Sequence, residues 1–306
     1  PAAHHPRAAL AAPRESRRVD VDGCAIHYLR WGARGKPGIV LVHGGAAHAH
    51  WWTHFAPLLV AEYAVAAIDL SGHGDSGWRD AYPEGVWPAE IMAVAADADF
   101  DGRPILVGHS MGGLGAIQTA AAYGERLAGA VIVDSPLPAP VILSSLVRRP
   151  APEPEEAAYG RSFTRPKTYP TLDRALAHYR LVPDQPWLHP FIMDYVARTS
   201  LRRDEAGRFA WKWDLNVFRR ITPQAIREVL PTVTCRVALF RGENGLVTPD
   251  IGAYMYELLH RNAPVVEIPQ AYHHMMLDQP LPLLAALRAI LADWEHSVPK
   301  RRQSAA

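Results

Sequence analysis

Gly-x-Ser-x-Gly, between an apolar run that reads as a strand and a stretch that reads as a helix, is where this chain carries its clearest chemistry. The residues are Ile105-Leu-Val-Gly108-His109-Ser110-Met111-Gly112-Gly113. A serine at the apex of a sharp strand-to-helix turn projects its Oγ above a sheet, and Gly108 and Gly112 leave room for the turn. The helix that opens near Met111 aims its free N–H groups at the same place, where they favour an oxygen acquiring negative charge. Ser110 is the candidate nucleophile.

Two other segments offer what a serine needs. After the first core strand comes His43-Gly44-Gly45. Such a turn at a strand end can supply a second backbone donor, so the N–H groups of Gly45 and Met111 form the expected oxyanion hole. His43 itself is expected to hold the loop by hydrogen bonds. Near the other end, Tyr272-His273-His274 follows the last strand and precedes a C-terminal helix, which places an imidazole above the carboxyl edge of the sheet. A neutral imidazole there takes the serine proton and later returns it to a leaving group, and on residue type His273 and His274 both qualify.

These pieces need a sheet to bring them together. Val19 to Trp31 alternates as a hairpin does, with Asp22-Gly23 at the turn. Short apolar runs follow at Ile39–His43, Val65–Asp69, Ile105–Gly108, Ala130–Asp134, Val237–Phe240 and Val265–Ile268. Helical stretches at Ala89–Ala98, Gly112–Tyr123, Ile251–Leu259 and Leu281–Trp294 lie among them. Continuous apolar runs alternating with helices indicate a mostly parallel sheet buried on both faces. The rhythm stops across residues 136–232, rich in proline at first and then in aromatics, which reads as an inserted, largely helical cap. Within it Lys212 and Asp214 alternate with Trp211 and Trp213, as in an edge segment with one buried face. The expected organisation is a disordered tail over residues 1–18, a core from 19–135 and 233–297, and the cap between the core halves.

At this point the chain resembles the α/β-hydrolase superfamily. The resemblance is carried by His43-Gly-Gly, Asp69-Leu-Ser-Gly-His-Gly-Asp-Ser76, Gly108-His-Ser-Met-Gly-Gly113 and His273-His-Met-Met-Leu-Asp-Gln-Pro280. It spans about Val19 to Trp294 apart from the cap, and is nearest the capped esterase, haloperoxidase-like and C–C-hydrolase branch. The family position of the histidine, seven residues before the proline of the last motif, selects His273. The family reading makes the Asp69–Ser76 loop architectural. The family acid is usually an Asp about three residues after the glycine that ends the penultimate strand. Here Gly242 is followed by Glu243-Asn244-Gly245, so glycine stands where Asp is expected. Two substitutes remain: Asp134, which ends the preceding strand at a position some relatives use, and Glu243, with its longer side chain. Asp250 lies too far along the loop.

Composition sets the limits. The 306 residues are 49% hydrophobic and 21% charged with net charge +1, which gives no bulk reason to expect nucleic acid or an anionic membrane as partner. No stretch approaches the roughly 18 uninterrupted apolar residues of a membrane helix. With no apolar h-region near Pro1–Arg18, a cytoplasmic enzyme is the default expectation. Cys24 and Cys235 have no metal or redox spacing, and Cys235 reads as a buried thiol. His43, His48, His50 and His54 cluster, but no Cys, Asp or Glu joins them in a ligand-like arrangement, so no metal and no cofactor are expected. The expected activity is cleavage of a carboxylic ester of a mainly apolar small molecule. A C–C hydrolase or acyltransferase on the same scaffold is the rival within enzymes, and a non-catalytic ligand-binding protein the rival outside them. The Asp nucleophile that haloalkane or epoxide chemistry needs is absent at position 110.

Overall fold

The computed structural model describes residues 5–137, 167–219 and 223–297. Its main sheet has eight strands: β1 Glu15–Val21, β2 Cys24–Trp31, β3 Pro37–Val42, β4 Ala64–Ile68, β5 Asp101–His109, β6 Gly129–Val133, β10 Arg236–Asn244 and β11 Val265–Tyr272. Their spatial order is β1-β2-β4-β3-β5-β6-β10-β11. The β1–β2 and β2–β4 pairs are antiparallel, and all the other pairs of this sheet are parallel. Strands β7 Thr168–Tyr169, β8 Leu201–Arg203 and β9 Phe209–Trp211 form a small separate antiparallel sheet.

Both faces of the large sheet are covered, and the alternation of side chains shows how. Ile39, Leu41, Val65 and Ala67 belong to one apolar cluster, while Val40, Val42, Ala66 and Ile68 belong to a second. Side chains two apart point to the same side of a strand, so an unbroken apolar run feeds two cores at once. Helices α2 Val86–Asp97, α3 Met111–Tyr123 and α7 Pro249–Leu258 pack on the second cluster, and α9 Pro280–His296 on the first. The remaining helices are α1 Pro6–Ala9, α4 Leu172–Ala177, α5 Pro190–Thr199, α6 Pro223–Val229 and α8 Met275–Asp278. The hairpin turn reads as expected: Asp22 and Gly23 both have positive φ, at 49° and 74°, the conformation a two-residue hairpin turn requires.

One expectation changes and another gains detail. The ordered chain begins well before residue 19, because α1 buries Ala9 and β1 starts at Glu15. The first half of β1, residues 15–18, escapes hydropathy reading because the strand lies at the sheet edge with most of its side chains in solvent. The described part of the segment between β6 and β10 is largely helical, with α4, α5 and α6, and the three short strands add a small sheet to it.

That segment is fastened to the core by named contacts. Ser200 Oγ meets His48 Nε2 at 2.8 Å, and Tyr195 OH meets His50 Nδ1 at 2.8 Å. On the far limb Trp213 bridges to His73, and Lys212 pairs with Asp75 at 2.8 Å. The Asp69–Ser76 loop is architectural, as expected. The Asp69 carboxylate accepts from the N–H groups of Ala49 (2.6 Å) and Asp75 (2.9 Å), and pairs with His27 Nδ1 at 2.7 Å. Among the described residues, no helix is long and apolar enough to cross a membrane.

Candidate active site

Strand β5 delivers Ser110 to the head of α3. The serine has φ 53° and ψ −122°, a conformation that disfavours any side chain and costs about 1–3 kcal/mol. Its surroundings enforce it. The Ser110 N–H donates to Val133 O at 2.9 Å, and its carbonyl accepts from the Gly113 N–H at 2.9 Å. A Cβ on Gly112 would lie 2.3 Å from His43 O, so the helix start can approach the His43 turn this closely only as glycine.

The histidine stands where β11 ends. His273 Nε2 is 3.0 Å from Ser110 Oγ, and its Nδ1 is 2.7 Å from Asp134 Oδ2. Asp134 follows β6 and is fully buried. Its carboxylate also accepts backbone N–H groups from Leu246 at 2.7 Å, Val247 at 3.2 Å and Gly242 at 3.4 Å. With those donors fixed, the acid can only accept from the imidazole, so Nδ1 carries the proton and Nε2 presents its lone pair to the serine.

Of the two candidate acids, Asp134 lies in this chain of hydrogen bonds and Glu243 does not. Glu243 is exposed, and its Oε2 accepts from the Gln270 N–H at 2.7 Å, tying β10 to β11. The glycine at 245 explains the exchange. A Cβ there would lie 2.4 Å from Asp134 Oδ1, so the Asp134 carboxylate fills the space that a side chain at 245 would take. Asp250 sits exposed in the first turn of α7.

Of the proposed oxyanion donors, Met111 follows the serine directly, and the loop that carries Gly45 runs close to it: a Cβ on Gly44 would lie 3.2 Å from Ser110 Cβ. Met111 opens α3, so its N–H belongs to a first turn that has no intrahelical acceptor. Gly45 lies in the loop beyond β3, and His43 braces that loop: its Nδ1 donates to Gly44 O at 2.7 Å, and its Nε2 accepts from the Leu70 N–H at 3.1 Å. The expected structural role of His43 is what its two hydrogen bonds perform.

The histidines that follow His43 in that loop hydrogen-bond to different partners, though the rings of His48 and His50 lie 5.8 Å apart. His48 and His50 face the inserted segment as described, and His54 Nε2 meets Met276 O. The described residues do bring ligand atoms of His27, Asp69 and Asp75 within 4.8 Å of one another. These atoms are already engaged, by the two backbone donors on Asp69 and by Lys212 on Asp75, so the cluster reads as a hydrogen-bonded brace. Both cysteines are free; Cys24 is buried, whereas Cys235, expected to be buried, is half-buried, and its partial burial pushes the thiol up to about 11.

Burial pushes seven histidines below their usual range: His43, His48, His50, His54, His73, His109 and His274. Each takes up a proton less readily in the fold than in the unfolded chain, which does so near pH 6.5. The unfolded state therefore binds more protons below that pH, so stability is lost as pH falls. Two carboxyls oppose this: burial raises Asp278 to about 6 and also pushes Glu90 above its usual range, and both would favour the fold on acidification. Seven groups against two decide the sign. Thermal melts should show Tm falling steadily from pH 7 to pH 5; a Tm that rises over that interval would contradict the reading.

Beside this constellation lies a cleft of about 330 Å³. Its lining includes Gly45, Trp51, Tyr179, Trp211, Trp213 and His274, with Lys167 and Arg180 adding positive charge. Sequence reading missed Gln185, which accepts from His274 at both the backbone N–H (2.9 Å) and Nδ1 (2.8 Å). Gln185 sits in a Pro-rich stretch with no periodic signal.

Comparison with known proteins agrees with this architecture. The alpha/beta hydrolase family matches residues 39–287. Esterase Rv0045c of Mycobacterium tuberculosis is 26% identical over 280 residues, covering 89% of this chain and 88% of that protein. Epoxide hydrolase 4 of Mus musculus is 30% identical over 137 residues, which is 44% of this chain and 38% of the relative, so the chain spans well under half of that protein. The solved structure of E-2-(acetamidomethylene)succinate hydrolase superposes with a TM-score of 0.75 at 21% identity, covering 92% of this chain and all of the other, a likeness of fold. With most of its length matched by that family, the chain belongs to the alpha/beta hydrolase family.

Proposed function

We propose that this protein is a serine hydrolase that cleaves a carboxylic ester of a mainly apolar small molecule through an acyl-enzyme. The observation that carries the reading is the hydrogen-bond chain from Ser110 Oγ through His273 to Asp134, at 3.0 and 2.7 Å. Ser110 Oγ attacks the ester carbonyl carbon as its proton passes to His273 Nε2. The carbonyl oxygen becomes an oxyanion, met by the N–H groups of Gly45 and Met111; losing one such donor typically costs about 2.7–4 kcal/mol. Collapse expels the alcohol, which takes the proton from His273. A water molecule, activated by the same imidazole, then releases the acid. Asp134 holds the ring and stabilises its charged form.

Several features support catalysis over binding alone. Ser110 keeps a strained backbone angle that a mere turn residue has no reason to hold. Trp51, Tyr179 and Trp211 in the cleft support a mainly apolar substrate with an aromatic or aliphatic body. The inserted segment, which supplies most of these walls, acts as the cap of the site. Ser110 also bears on the epoxide hydrolase relative. Opening an epoxide by covalent catalysis calls for a carboxylate nucleophile, and a hydroxyl here forms acyl esters instead.

Stopped-flow mixing with p-nitrophenyl butanoate tests the proposal. The expected result is a burst of p-nitrophenol equal to the enzyme, followed by slower turnover. A 2-hydroxy-6-oxo-hexa-2,4-dienoate should be cleaved poorly. Rapid cleavage of the dienoate without ester turnover would replace the ester reading by C–C hydrolysis.

A further inference from the structure

His274 has no part in the proton transfers described above, yet it lines the cleft beside them. Its ring centroid is 4.7 Å from that of His273 and 5.4 Å from that of Trp51. The residue is 4% exposed and therefore needs its polar atoms satisfied.

Gln185 settles which of its nitrogens carries the proton. A single atom, Gln185 Oε1, lies within hydrogen-bond distance of both the backbone N and the Nδ1 of His274. The backbone N–H can only donate, so that atom is the amide oxygen, and Nδ1 must donate to it as well. The neutral ring then has its lone pair on Nε2. Among the described residues nothing hydrogen-bonds to Nε2, while the ring forms part of the cleft wall. Burial and the neighbouring His273 and His109 hold the ring well below the usual histidine range, so it stays an acceptor at neutral pH.

The arrangement is built at a cost. Gln185 is itself buried, and its Nε2 has no partner among the described residues. A core histidine serving only packing has no need of a glutamine, 89 residues away in sequence, to fix its tautomer.

We infer that His274 is a specificity-determining residue, whose Nε2 accepts a hydrogen bond from a hydroxyl or N–H carried by the substrate near its reacting carbonyl. Gln185 is the positioning residue that keeps Nε2 unprotonated. The inference rests on the serine-hydrolase reading and deepens it: the preferred esters carry a hydrogen-bond donor close to the acyl carbon or on the alcohol side.

The test compares kcat/KM for phenyl 2-hydroxybutanoate, phenyl 3-hydroxybutanoate and 2-hydroxyethyl butanoate. Each is set against its methyl ether, which has similar electronic character and no donor, and against its deoxy parent. The wild type should prefer the best hydroxy ester over both comparators by about tenfold or more, as a lost buried hydrogen bond implies. His274→Phe keeps a ring without an acceptor and should reduce that ratio to within about threefold, as should Gln185→Leu, which frees the tautomer. The change should lie mainly in KM for the hydroxy ester. Equal rates on donor and donor-free esters in the wild type overturn the inference, as does a ratio that survives His274→Phe. If His274→Phe does not fold, the wild-type comparison and Gln185→Leu decide. Failure of the underlying reading looks different: the wild type then turns over none of these esters and takes up no fluorophosphonate.

Discussion

Ser110→Ala lowers kcat for a phenyl ester by about 10⁶-fold, because it removes the oxygen on which the acyl group is carried. A residual rate, about 10³–10⁴-fold above water, remains from oxyanion donors and binding alone. KM should move little, since the hydroxyl is a small part of the binding surface. Stability gives an independent check on the same residue. Alanine inherits the φ of 53° and its strain, whereas Ser110→Gly relieves it, by up to about 1–3 kcal/mol. Ser110→Gly should therefore melt higher than Ser110→Ala while remaining equally inactive. Unequal activity, or a lower Tm for the glycine variant, would mean that the elbow is not held in strain for catalysis.

Asp134→Asn should lower kcat by about 10⁴-fold, the loss that follows when the imidazole is left in the wrong tautomer. The carboxylate accepts from the N–H groups of Gly242, Leu246 and Val247 and from His273. An amide has one accepting oxygen in place of two, so its NH2 must face one of these donors or the imidazole. Turned to His273, it forces Nδ1 to accept and puts the proton on Nε2, where Ser110 needs a base. Glu243→Gln, an exposed side chain holding one backbone N–H, should leave kcat within about twofold. Gly245→Asp alone crowds the Asp134 carboxylate and should destabilise the fold. Asp134→Ala combined with Gly245→Asp moves the acid to the neighbouring strand and should recover part of the activity that Asp134→Ala loses. Steady-state kinetics across these variants decides between the two acids. A 10⁴-fold loss in Glu243→Gln with a mild loss in Asp134→Asn would reverse the assignment.

The core was legible because its strands are buried on both faces. Runs such as Ile39-Val-Leu-Val signal themselves by continuous hydropathy, and the helices by the longer stretches that alternate with them. The first half of β1 was not legible, because Glu15-Ser-Arg-Arg lies on an edge strand with almost no buried side chain. The strands of the inserted segment are two or three residues long, too short for any period to register.

At the site, Ser110 and His273 could be read because their chemistry needs a fixed local context. The acid could not be assigned between Asp134 and Glu243, since each lies at the carboxyl end of an apolar run and sequence does not show which of the two reaches the imidazole. What separates them is register: β6 lies directly against β10, so Asp134 reaches under the loop that follows β10 and accepts from Leu246 and Val247 there. Gly245 held the signal in a form hard to read, a side chain missing where another residue's carboxylate enters. Gln185 gave no signal, because its relation to His274 exists only once the inserted segment has folded onto the core.

The central claim is that His273 makes Ser110 a nucleophile. Intact-mass measurement after brief exposure to a fluorophosphonate tests it most directly, on the wild type, Ser110→Ala and His273→Ala. One adduct on the wild type, none on Ser110→Ala and greatly slowed labelling of His273→Ala is the predicted result. Folded wild type that stays unlabelled, or an adduct that persists in Ser110→Ala, would contradict it.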